Sequence, residues 1–144
     1  MDITAVLAES SGWLIALLTG VTVGLPYVLR RRPAYLARLT PHYWIGFTLA
    51  GLSLLHAGLA MSSTPTPGGG DWAAGIWVAT GAMLLVFGQV VLGAGLRTLH
   101  GAERRQRRRL HFAVMTLLVA AGLVHVVLNG ALARSLLAAA ALLR

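Results

Sequence analysis

Four histidines share one interval. His42 and His56 stand fourteen positions apart, and so do His111 and His125, in the runs HYWIGFTLAGLSLLH and HFAVMTLLVAAGLVH. Fourteen residues are close to four helical turns, so each pair falls on nearly one face of a helix with about 21 Å of rise between its members. An ionisable ring inside such an apolar run costs a few kcal/mol in hydrocarbon and marks a functional position. If the two runs lie parallel, His42 faces His111 at one level and His56 faces His125 at another. Zinc normally takes three or four protein ligands, and neither run brings a carboxylate or thiolate near. A haem iron needs only two axial ligands, because the porphyrin supplies the other four nitrogens. The expectation is therefore two b haems (protohaem IX), with His42 and His111 on one iron and His56 and His125 on the other. Iron closed on both sides carries electrons and has no position left for a substrate.

The elements that must position these rings follow from composition. Of 144 residues, 57% are hydrophobic and 11% charged, too few charges to solvate a soluble domain of this size. Four apolar segments, at about residues 11–29, 42–62, 72–96 and 110–129, each approach the ~20 residues a helix needs to cross a bilayer. The fold expected is all-α, a single four-helix membrane bundle over residues 1–144. The tail 131–144, ALARSLLAAAALLR, either continues the fourth helix or lies in the interface. The first segment follows Asp2 and Glu9 with no basic residue before it, unlike a signal peptide, and is expected to be retained. The chain has no cysteine, so thiolate and disulfide chemistry are excluded.

The net charge of +8 comes from twelve arginines, ten of them in LRRRPAYLAR and LRTLHGAERRQRRR, while the N-terminus and the loop STPTPGGGD hold none. By the positive-inside rule both basic loops are cytoplasmic, with both termini and the Gly/Pro loop outside. This excludes nucleic acid as the partner of the charge and assigns it to topology and anionic membrane lipids. Segments two and four then run parallel, as the pairing requires. His42 and His111 become the inner level, and His56 and His125 the outer. Tyr35, Tyr43 and Trp44 fit an inner aromatic belt, and Trp72 and Trp77 an outer one.

A porphyrin between helices needs room, which glycine gives. Gly81 and Gly95, again fourteen apart, are assigned to the haems. Gly20 and Gly24 are spaced for close helix contact. Arg108, one turn before His111, is a candidate partner for the inner propionates, with Arg38 and Arg97 bordering the same side. Asn129, one turn beyond His125, could serve the outer ones. Met61, Met83 and Met115 read as packing residues, and His100 stands outside the pattern. No nucleophile-and-base arrangement is present, so no catalytic residue is assigned.

The motif of histidine, thirteen residues, histidine on two parallel helices resembles the di-haem core of cytochrome b of bc-type complexes, in its N-terminal four-helix half. It is also similar to the transmembrane domain of ferric reductases and NADPH oxidases. The doubled motif covers segments two to four, and the helix count extends the likeness to nearly the whole chain. The resemblance implies ligands at His42, His56, His111 and His125 only. The chain lacks the later helices and quinol-site motif of cytochrome b, and the flavin and nicotinamide domain of the oxidases. Its expected role is transmembrane electron transfer in a bacterial plasma membrane, between the quinone pool and a partner redox protein. Two alternatives stand beside it: a haem-bearing anchor subunit of a larger respiratory or photosynthetic complex, and a histidine-based transporter of metal ions or protons. In either electron-transfer role it is a carrier or oxidoreductase subunit without its own catalytic domain.

Overall fold

The computed structural model describes residues 3–30, 39–62 and 72–129. All four elements are helices: α1 Ile3–Leu29, α2 Thr40–Ser62, α3 Trp72–Gly95 and α4 Gly101–Leu128. Each is long and apolar enough to cross a membrane. The chain is thus an all-helical, multi-pass membrane protein. Arg38, Tyr35 and the 131–144 tail lie outside the described residues.

Two helices start earlier than hydropathy suggests. The first begins at Ile3 rather than near residue 11, because TAVLAES is a good helical sequence despite Glu9. The fourth begins at Gly101 rather than near 110, since Ala, Glu, Gln and Arg are strong helix formers that need no apolar environment. The basic segment is therefore a rigid extension of α4. His100 is its N-cap, with extended backbone and no side-chain capping bond. Gly101 follows at φ 58°, a left-handed conformation that glycine adopts without steric penalty. Bonds from Leu96 N–H to the Gly93 carbonyl, and from Arg97 N–H to that of Ala94, tighten the last turn of α3 into this connection.

Packing makes the bundle two antiparallel hairpins. Helix α1 lies extensively on α2 and α3 on α4; α2 meets α3 less, and α1 touches α4 only slightly. Among the described residues the apolar core is small, with Ala8, Leu49, Ala50 and Val86 buried. Many large apolar side chains face outward, as expected where lipid replaces water. Trp44 and Trp77, near the starts of the oppositely directed α2 and α3, are exposed at opposite ends, as aromatic belts require. Among the described residues nothing lies within 4 Å of where a Cβ on Gly20 or Gly24 would stand, so neither glycine is needed there for a close helix contact. The hairpin α1/α2 closes at other positions.

Position on α2 decides what a truncation costs. Leu49 is 6% exposed and Leu54 52%. Leu49→Ala removes packed contacts and should destabilise by about 2 kcal/mol, the low end for core truncations. Leu54→Ala exchanges one lipid-facing alkyl group for another and should stay within about 0.5 kcal/mol. Unfolding by SDS titration from mixed micelles measures both.

Candidate functional site

The hairpins meet through imidazoles. The ring centres of His42 and His111 lie 6.3 Å apart with planes at 73°. Those of His56 and His125 lie 6.2 Å apart at 89°. The structure thus brings all four histidines together in the two expected pairs, at two levels. Parallel α2 and α4, each carrying the fourteen-residue interval, place them there.

Three of the four rings are oriented from the neighbouring helix of their own hairpin. His42 Nδ1 lies 3.0 Å from the Thr22 carbonyl and His56 Nδ1 3.0 Å from that of Ala8, both on α1. His125 Nδ1 lies 3.1 Å from the Gly75 carbonyl on α3. A carbonyl can only accept, so in these three rings Nδ1 carries the proton and Nε2 the lone pair. Ser11 Oγ donates to the Ala8 carbonyl at 2.9 Å and, 3.1 Å from His56 Nδ1, shares that ring's proton as a second acceptor. The Asn129 amide nitrogen lies 3.1 Å from His125 Nε2, where it can donate to the lone pair. Such bonds from the second ring nitrogen fix tautomer and orientation in metal-binding histidines.

Two imidazoles bound to one metal from opposite sides, each at about 2.0 Å and with roughly 1.1 Å more to the ring centre, would have centres about 6.2 Å apart. The observed 6.2 and 6.3 Å match that spacing. Among the described residues there is no group of three or more His, Cys, Asp or Glu side chains. A metal at either level would therefore have two protein ligands and need the rest from another source.

Glycines form part of the cradle, at positions the sequence reading did not select. A Cβ on Gly12 would lie 3.1 Å from His56 Cε1, and one on Gly93 would lie 3.4 Å from His111 Cε1. A Cβ on Gly75 would strike Asn129 Oδ1. The signal available was register: Gly12 and Gly93 lie opposite histidines in antiparallel hairpins, which no spacing within one helix reveals. Gly81 borders open space in a wholly apolar cleft of about 590 Å³, shared with Val78, Leu84, Leu85, Ala121 and Val124. Gly95 instead gives passage to the Arg107 guanidinium.

The arginines also sort differently from expectation. Arg108 is exposed on the flank of α4, while Arg104 and Arg107 are half-buried. Arg104 Nε donates to the Leu96 carbonyl at 3.4 Å. Arg97 lies 5.3 Å over the Tyr43 ring, which in turn meets His42 edge-on at 5.9 Å. The side chain of Asn129 is engaged with His125, on its own helix. Met115 borders a smaller cleft of about 330 Å³ with Val23 and Val119.

No known protein family, curated protein or solved structure matches this chain.

The tightness at Gly12 gives a local test. Gly12→Val should push the His56 ring off the Ala8 carbonyl, whereas Gly20→Val, with nothing within 4 Å, should leave it in place. In a ¹H–¹⁵N spectrum of histidine-labelled protein, the His56 Nδ1–H resonance should move in the first variant only, with that of His42 unchanged in both.

Proposed function

We propose that this chain carries electrons across a membrane through two b haems, one held by His42 and His111 and the other by His56 and His125. The observation that supports it is the spacing of the ring centres, 6.3 and 6.2 Å, which leaves room for one metal ion on the axis of each pair. The donor set points the same way, since two imidazoles per level suit a metal whose remaining ligands come from a macrocycle. When bound, haem supplies a one-electron iron couple.

The protein's own groups do the rest. Hydrogen bonds at Nδ1 hold the Nε2 lone pairs of His42 and His56 ready for a metal and raise their basicity, while the Nε2 of His125, 3.1 Å from the Asn129 amide nitrogen, would take a metal in place of that contact. With a histidine on each side, a bound haem iron would have no position left for dioxygen or substrates. The apolar helices exclude water. With about 21 Å between levels along the helix axis, two redox centres would reach across much of a hydrocarbon core of about 30 Å. At the inner end, Arg104 and Arg107 are better placed than Arg108 to meet haem carboxylates, being half-buried beside the end of α3. Both termini are taken as outside and the arginine loops as cytoplasmic, in a bacterial plasma membrane. Electrons would be exchanged with the quinone pool and a partner redox protein.

A second reading, a haem-bearing anchor within a larger respiratory or photosynthetic complex, is favoured by one feature. The rigid basic start of α4, with Arg105, Arg108 and Arg109 exposed, offers a cationic face for a cytoplasmic subunit.

Protein purified from haem-sufficient cells should give a reduced-minus-oxidised b-type spectrum and about two haems per chain by pyridine haemochrome. His42→Ala and His111→Ala should lose one and the same haem, and His56→Ala and His125→Ala the other. A colourless protein that conducts metal ions or protons in liposomes would overturn the reading in favour of a transporter. Quinol oxidation by the isolated chain favours the carrier over the anchor.

A further inference from the structure

The fourteen-residue interval extends beyond the histidines. The acceptors on α1, Ala8 and Thr22, are themselves fourteen apart, opposite His56 and His42. On α3 the acceptor for His125 is Gly75, and the residue fourteen further on, opposite His111, is Gln89. Three histidines thus donate Nδ1–H to a main-chain carbonyl. The fourth does not: His111 Nδ1 is buried without a hydrogen-bond partner.

A second buried atom is equally unpaired, and it is Gln89 Oε1. Its own amide nitrogen already donates to the His111 carbonyl at 2.7 Å, which ties the Gln89 side chain to the same residue. A buried donor left without an acceptor is unfavourable, and so is a buried acceptor without a donor. A hydrogen bond between the two would satisfy both.

We propose that Gln89 is the positioning residue of the inner imidazole pair, its Oε1 taking the Nδ1–H of His111 where a main-chain carbonyl serves the other three histidines. The inner level then differs from the outer in kind. One of its rings is then set by a side chain in place of a main-chain acceptor, so its basicity is open to change by substitution, whereas both outer rings have a main-chain acceptor at Nδ1. The inference rests on the reading of His111 as a metal ligand.

Gln89→Glu and Gln89→Leu separate this role from mere packing. A carboxylate in place of the amide strengthens acceptance from Nδ1–H, makes His111 a more basic ligand and stabilises the oxidised metal. Leucine removes the acceptor and does the reverse. In a redox titration of the haem-loaded protein, the inner centre should shift to lower potential in Gln89→Glu and to higher potential in Gln89→Leu, with the outer centre unmoved in both. Shifts of the same sign in the two variants, equal shifts of both centres, or no shift would overturn the assignment. A readout independent of haem is the ¹⁵N spectrum of histidine-labelled, metal-free protein. There Gln89→Leu should move the His111 Nδ1–H resonance and leave that of His125 in place. An unmoved His111 would sink the Gln89 proposal alone. Absence of haem from the native protein, with the His111 resonance still responding, would sink only the proposed function.

Discussion

A histidine side chain turns about two bonds, and the hydrogen bond from Nδ1 to the neighbouring helix removes that freedom. The candidate site depends on this constraint. Thr22 and Ala8 on α1 hold the two rings of α2, and Gly75 on α3 holds one ring of α4. The α1/α2 hairpin thus orients both of its imidazoles, and the α3/α4 hairpin orients His125. The packing pattern follows, with close contact inside α1/α2 and α3/α4 and looser contact between them. A group bound at either level would lie at the seam between hairpins and would hold them together.

The membrane sets the terms for every other polar group. Within hydrocarbon a hydroxyl must find an internal partner, and Thr22, Ser53, Thr80 and Thr116 each donate to the carbonyl four residues earlier. The Thr22 carbonyl is left to His42 because Pro26, four residues on, has no N–H to donate to it. The described arginines avoid the problem by lying just past α1 at Arg30, in the connection from α3 at Arg97 and in the 101–109 part of α4, where their charge can meet water or lipid head groups. Arg97 over Tyr43, with Tyr43 against His42, joins that charged end to the inner pair through a continuous line of contacts.

Helix number, the parallel course of α2 and α4, and the pairing of His42 with His111 and of His56 with His125 were all legible in the sequence. They depend on hydropathy and on one periodicity within single helices, and both survive folding. Contacts across helices were not legible. Gly12 and Gly93 meet imidazoles because of the register of the hairpins, whereas Gly20 and Gly24, chosen for their spacing, meet nothing. Gly95 yields to Arg107 and Arg108 points away, because the helix begun at Gly101 fixes which arginines turn toward α3. The helix starts at Ile3 and Gly101 were missed for a related reason: hydropathy marks where a chain can cross lipid, while helices continue as far as propensity allows.

Ring planes at 73° and 89° provide the most direct measurement of the central claim. Low-temperature electron paramagnetic resonance of the oxidised protein reads both the number of axial imidazoles on a ferric haem and the angle between them. The account predicts two low-spin centres per chain with the strongly anisotropic signals of nearly perpendicular imidazoles. A high-spin signal from five-coordinate iron, or no haem iron at all, would contradict it.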